Sequence, residues 1–345
     1  MRFETLVSRD NLELAWRRIT TGVNQQYKKF FRQFYYAYEL ALKENIRDLH
    51  VRLRGGAFEA SPPVRVYVPK PSGLQRPLTL LLLEDQILLQ AIANLFSGKI
   101  KSRRRSIELK TVFSNILQPW EQSIFFFKNW HYTYGKFQKQ IEKHYDGGLH
   151  WIAYFDLAAF YDTISHDLLL RTIFPRGGGS RFSEPVSNWL HTWSAEKKLQ
   201  TYGHGIPQGP IASDFLAECF LLSIDEVLSE EGITYVRYVD DIRVFGSTET
   251  EVRKAVIRLE KLCRDKGLIP EGRKFGIFKA RSLKEAMGFL PSIPPGEEDS
   301  EDFFLHRKRA LKEFRKALQG RPLKIVDKSR ARFVLYRAEP CKELL

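Results

Sequence analysis

The chain has 345 residues with 55 Lys and Arg against 41 Asp and Glu, a formal charge of +14, and self-repulsion on that scale serves no enzyme of neutral substrates. The composition therefore points to a polyanionic partner, nucleic acid first. Its 43% hydrophobic content suits a core divided among two or three subdomains, while three cysteines without metal-ligand spacing (Cys219, Cys263, Cys341) suggest neither a disulfide framework nor a zinc site.

The N-terminus Met1-Arg-Phe-Glu-Thr-Leu lacks a signal-peptide core, and no apolar run approaches the roughly eighteen residues of a membrane span. A soluble cytoplasmic protein with no membrane partner is expected. Residues 8–50 place Trp16, Tyr27, Phe30, Phe31, Phe34 and Tyr35 near a helical period, which predicts one or two amphipathic helices whose aromatic stripe is core. Val64 to Thr79 contains two strand-like runs around a Pro/Ser/Gly turn, a β-hairpin with Lys70 and Arg76 near its tip. Leu80 to Phe96 predicts a buried helix with Asp85 near its start, where the helix dipole favours an acid.

Residues 99–110 are densely basic and include Arg103, Arg104 and Arg105. Aromatics follow at Trp120, Phe125, Phe126, Phe127, Trp130, Tyr132 and Tyr134. Basic charge beside aromatic faces suits a nucleic acid that offers phosphates and exposed bases together, so the three arginines are expected to bind it. Gly147-Gly148 marks a boundary before a strand, Trp151 to Phe155, that ends in Asp156 and leads into a helix capped near Ser165. A glycine- and proline-rich loop, Gly205-Ile-Pro-Gln-Gly-Pro-Ile-Ala-Ser, runs into a long helix ending near Gly232, with Ser213 as the expected cap. Its glycines would let the main chain and Gln208 approach a flat ligand.

Ile233 to Phe245 reads as strand, tight turn, strand, with Asp240 and Asp241 at the reversal. Neighbouring acids repel unless a cation binds there. If the Asp156 strand pairs beside this hairpin, three carboxylates converge in a way that suits two divalent cations. Magnesium, which prefers hard oxygen ligands and shares them with substrate phosphates, is the natural cofactor. After Pro291 a proline-rich acidic segment reads as a linker. Residues 306–332 then read as a basic helical stretch with Leu311, Phe314 and Leu318 on its apolar face.

Phe155-Asp-Leu-Ala-Ala-Phe-Tyr-Asp, the Gly205 loop and Tyr238-Val-Asp-Asp, in that order, resemble the successive palm motifs of reverse transcriptases. Pro69-Lys-Pro-Ser-Gly-Leu-Gln-Arg-Pro-Leu resembles the family's fingers motif, and Gly267-Leu-Ile-Pro-Glu-Gly-Arg-Lys274 with Met287-Gly-Phe-Leu290 its later palm motifs, so the likeness covers residues 60–291. It implies an α/β right-hand polymerase fold: N-terminal helices and fingers over 1–150, a mixed-sheet palm over 151–291, and a linker with a short basic helical thumb over 292–345. It further implies RNA-directed DNA synthesis from deoxynucleoside triphosphates on an RNA template, with a DNA product. By position, Asp156 and Asp240 would be the principal metal ligands and Asp241 the third acid. Lys70 and Arg76 would hold the triphosphate, Tyr161 would lie beneath the incoming sugar, Gln208 would contact nucleotide or template, and Lys274 would stand near the pyrophosphate. Pro270-Glu-Gly-Arg, just before Lys274, departs from the family's asparagine-containing pattern. Arg237-Tyr-Val-Asp-Asp and Pro207-Gln-Gly-Pro look most like the prokaryotic defence-associated branch, which implies a noncoding RNA template and a role against phage. A retron-type enzyme, template-independent synthesis primed from one of fourteen tyrosines, and a non-catalytic RNA-binding scaffold are the alternatives. A homo-oligomer is compatible with each.

Overall fold

The computed structural model describes residues 3–21, 25–70, 74–174, 179–195 and 202–288, together with the backbone of 318–319 and 324–325. The N-terminal region is built of α1 (Phe3–Leu6), α2 (Arg9–Thr20), α3 (Gln25–Lys28), α4 (Arg32–Glu39) and α5 (Leu42–Arg54), a finer division than the one or two helices expected. Ser8 starts α2 by accepting the Asn11 N–H at 3.4 Å. Leu12, Ala15, Trp16 and Ile19, one stripe at helical spacing, are then buried on the side of α2 that packs against α6 (Leu83–Arg104). The aromatic stripe is core only in part: Trp16, Tyr27, Phe31 and Tyr35 are buried, whereas Phe30 and Phe34 are exposed.

β1 (Val64–Pro69) and β2 (Gln75–Leu80) form the expected antiparallel hairpin, in register from Val64 opposite Leu80 to Pro69 opposite Gln75. Helix α6 is buried on nearly every side, as is α11 (Ile211–Glu230), and the two pack together behind a sheet. Pro210 stands at the N-cap of α11 without a side-chain bond. Ser213 lies inside the first turn, buried and with no partner for its hydroxyl among the described residues, so it is not the cap that its residue type suggested. Gly232 ends the helix in the left-handed conformation at φ 70°.

The sheet joins β3 (Trp151–Phe155), β5 (Tyr235–Tyr238), β6 (Asp241–Gly246) and β8 (Gly276–Lys279) in the antiparallel order β5-β6-β3-β8. Alternate residues serve opposite faces. Ala153, Phe155, Tyr235, Ile242 and Val244 join the core built with α11 and α12 (Glu249–Asp265). Ile152, Val236 and Phe245 join a second core with Phe137 and Ile141 of α7 (Trp130–Asp146) and Ala286 of α13 (Leu283–Met287). Covered on both sides, the strands read as nearly continuous apolar runs. After β3 the chain makes β4 (Leu157–Ala158), α8 (Phe160–Thr163), α9 (His166–Ile173) and α10 (Gly179–Trp193). Ser165 caps α9 through the Leu168 N–H at 3.4 Å, as expected. β7 (Ile269–Pro270) pairs with β4.

Most of 292–345 lies outside the described residues. Within it, β9 (Leu318–Gln319) and β10 (Lys324–Ile325) pair antiparallel, so Leu318 stands in a strand where its spacing predicted a helix. No helix among the described residues is long and apolar enough to cross a membrane.

Candidate active site

Phe155, the last residue of β3, pairs with Ile242, the second of β6. The next step of that register sets Asp156 beside Asp241, and Asp240 precedes Asp241 in the turn. Tyr238 pairs with Asp241, so the turn is two residues long, Val239 and Asp240. Val239 has φ 58°, where two-residue hairpins ordinarily place glycine. A β-branched side chain in the left-handed region costs roughly 1–2 kcal/mol and persists only where neighbours hold it. Ala159, three residues beyond Asp156, is also left-handed at φ 47° and accepts the Asp162 N–H at 2.9 Å.

The acids act on one another. Burial, then the Asp156 charge, pushes the Asp240 carboxyl up to about 6. Burial also raises Asp241, against the pull of Arg243, whose Nε stands 3.7 Å from its Oδ1. Lys274 donates to Asp156 Oδ2. Burial opposes the charge on the ammonium, but the bond and charge of Asp156 prevail and its pKa rises. The sheet places this lysine: Leu157 pairs with Pro270, and the Glu271 N–H donates to the Asp156 carbonyl at 2.8 Å. Among the described residues, no three His, Cys, Asp or Glu side chains stand in a metal-holding arrangement. The donor type is the one magnesium takes: three hard carboxylates with mutually unfavourable charge lie at one end of the sheet, and such an ion would complete its shell with water and substrate oxygens.

Tyr161 lies on α8 and donates to Asp214 Oδ1 at 2.6 Å, and burial pushes the Asp214 carboxyl up to about 7. Phe160, beside it, is buried at 3% exposure. Gln208 is tied to the hairpin by its backbone, its carbonyl accepting the Thr79 N–H at 2.8 Å and its N–H donating to Thr79 Oγ1 at 3.3 Å. The close approach that Gly209 permits is to protein: a Cβ there would meet the Tyr27 ring at 2.6 Å. The Tyr27 hydroxyl in turn donates to the Thr79 carbonyl and accepts the Leu81 N–H, both at 3.2 Å. Lys70 and Arg76 are exposed near the far end of the hairpin, with no side-chain partner among the described residues.

The three arginines do not share one surface. Arg104 is 1% exposed and donates to the carbonyls of Ser114 (3.0 Å) and Asn115 (3.2 Å), with Glu218 at 3.5 Å, so it is a core residue and not a phosphate ligand. Arg103 makes a two-pronged pair with Glu226 at 3.0 and 2.7 Å. Arg105 alone is exposed with no side-chain partner among the described residues. A further buried set, not expected from the sequence, surrounds Arg237, which bonds Asp225 Oδ2 at 2.6 Å and Glu218 Oε2 at 2.9 Å. Burial would raise the Glu218 carboxyl, but the charges of Arg237 and Arg104 hold it below its ordinary value. The available signal was Glu218 and Asp225, two acids seven residues apart among the buried positions of a long, largely apolar helix.

Among curated proteins, the chain is 25% identical to Protein YkfC of Escherichia coli K12 over 190 residues, covering 55% of this chain and 46% of that protein. It is 25% identical to a Putative COX1/OXI3 intron 1 protein of Saccharomyces cerevisiae over 196 residues, covering 54% and 20%. It thus spans less than half the length of either relative. Among solved structures, apo telomerase from Candida tropicalis aligns at 14% identity and TM-score 0.46 over 68% of this chain and 52% of that one. A chain of a Cas6-RT-Cas1–Cas2 complex aligns at 17% and 0.39 over 76% and 41%. Residues 68–289, well over half of the chain and inclusive of every acid described above, match the family model for reverse transcriptase (RNA-dependent DNA polymerase), and the chain belongs to that family.

Proposed function

We propose that this chain is an RNA-directed DNA polymerase working at Asp156, Asp240 and Asp241. The carrying observation is the meeting of these acids at the joined ends of β3 and the β5–β6 hairpin, where burial and mutual charge raise Asp240 to about 6. Asp156 and Asp240 would hold magnesium, with Asp241 as third acid, and the bound ions would supply Lewis acidity for in-line phosphoryl transfer to a primer hydroxyl. Lys70 and Arg76 would clasp the triphosphate of an incoming deoxynucleotide. Tyr161 would lie beneath its sugar, Gln208 would meet nucleotide or template, and Lys274 would move from Asp156 to the leaving pyrophosphate. In the right-hand architecture, 1–150 would serve as N-terminal helices and fingers, 151–291 as palm and 292–345 as linker and thumb.

The motif resemblance around Arg237-Tyr-Val-Asp-Asp supports a place in phage defence with a dedicated noncoding RNA as template. Purifying the protein from its own cells and sequencing the bound nucleic acid tests this. One abundant noncoding RNA is expected, together with DNA synthesis on it that chelation abolishes and magnesium restores. Indiscriminate cellular RNA, with no change in phage plating between cells carrying the wild type and Asp240→Asn, would overturn the defence reading.

A further inference from the structure

Val239 stands immediately before Asp240, and both of its main-chain groups are gripped. Its N–H donates to Ser114 Oγ at 2.8 Å, and its carbonyl accepts from the Arg237 guanidinium at 2.9 Å. The grip is itself anchored: Ser114 Oγ donates to Glu218 Oε1 at 2.5 Å, while Arg237 is bonded to Glu218 and Asp225. All four side chains are at most 2% exposed. The segment carrying Ser114 is laid along β5 by two backbone bonds, the Arg237 N–H to the Thr111 carbonyl at 2.7 Å and the Phe113 N–H to the Arg237 carbonyl at 3.0 Å. With two acids and two arginines counting Arg104, the set is balanced in charge, and such fully satisfied buried networks rigidify what they hold.

We infer that Ser114, backed by Glu218 and Arg237, is a positioning residue that holds Val239 in its left-handed conformation and thereby aims Asp240. The inference rests on the reading of Asp240 as a catalytic acid. A serine hydroxyl suits the task because it accepts from the turn and donates to the carboxylate at once. Glycine at 239 would adopt the same backbone with no clamp.

The test is a cycle of variants assayed by single-nucleotide incorporation on a primed RNA template. Ser114→Ala is expected to lower kcat about tenfold or more, with nucleotide KM and template affinity within about twofold, since only the aim of the acid changes. Ser114→Thr, which keeps the hydroxyl, should stay near wild type. Adding Val239→Gly to Ser114→Ala should recover most of the lost kcat, which a loss of general stability would not allow. Wild-type kcat in Ser114→Ala, or no recovery in the double variant, would overturn the inference. Asp240→Asn separates the two readings: if it is inactive while Ser114→Ala is unimpaired, only the positioning role falls, whereas an active Asp240→Asn removes the catalytic assignment itself.

Discussion

Tyr161 and Asp214 meet at 2.6 Å, which fixes a flat ring by its far end. Placed beneath an incoming sugar, such a ring leaves no room for a 2′-hydroxyl, the group that distinguishes RNA from DNA building blocks. Tyr161→Ala should therefore admit ribonucleotides while sparing much deoxynucleotide incorporation, and Tyr161→Phe should keep most of the discrimination. Steady-state kcat/KM ratios for the two nucleotide classes check this, and unchanged discrimination in the alanine variant would move the gate elsewhere. Asp85 offers a test remote from the chemistry. It is 2% exposed, and burial pushes it up to about 6 from 3.8, against the bond from Trp193 Nε1 at 2.8 Å. A folded pKa above the unfolded one means that the native state binds the proton more tightly, so stability falls as pH rises from about 4 through 6 and is level beyond. Asp85→Asn keeps the oxygen acceptor and removes the charge. It should raise stability at pH 8 by at most about 3 kcal/mol and erase that part of the slope. Thermal melts from pH 4.5 to 8 check it, and an unchanged slope would contradict it.

Helix α6 shows why a run of arginines misleads. Residues 103, 104 and 105 are successive, and successive residues on a helix point about 100° apart, so on a helix buried on nearly every side, as α6 is, the run is split between core and solvent. Phe96 and Ile100, buried at i and i+4, set the phase, and Arg104 is the next position on that stripe. The periodicity was in the sequence; its partner Glu218, 114 residues further on, was not predictable from local pattern. Arg104→Ala should leave Glu218 undercompensated and cost about 3 kcal/mol, whereas Arg105→Ala should change stability by less than about 0.5 kcal/mol. Chemical denaturation checks both, and equal losses would contradict the division. For RNA binding, Arg105→Ala should flatten the salt dependence by about one phosphate contact, and an unchanged slope would leave the exposed arginine without that role. The β5–β6 turn misleads in the opposite sense. Its strands and acids are plain in the sequence, but valine at a left-handed position breaks turn chemistry, and its support comes from Ser114 in a distant segment.

At the scale of the whole molecule, strands β3, β5 and β6, the β1–β2 hairpin and the two long helices α6 and α11 were legible, because each is written in local alternation, turn residues or apolar length, whereas β8 at the sheet's edge was not. The N-terminal region was legible in type but not in division, since the exposure of Phe30 and Phe34 depends on how short helices pack against one another. What could not be read locally is the tertiary wiring that brings α6, α11 and the 111–114 segment behind one turn, and the positive-φ residues that the wiring sustains. In the proposed function, Asp156 and Asp240 perform the chemistry of RNA-templated DNA synthesis. The most direct measurement is primer extension on an RNA template across a magnesium titration, comparing the wild type with Asp156→Asn and Asp240→Asn after circular dichroism shows matching folds. Loss of ligand charge at either position should reduce incorporation by at least about a thousandfold at every magnesium concentration. Synthesis by either variant at the wild-type rate would remove the substituted acid from the chemistry.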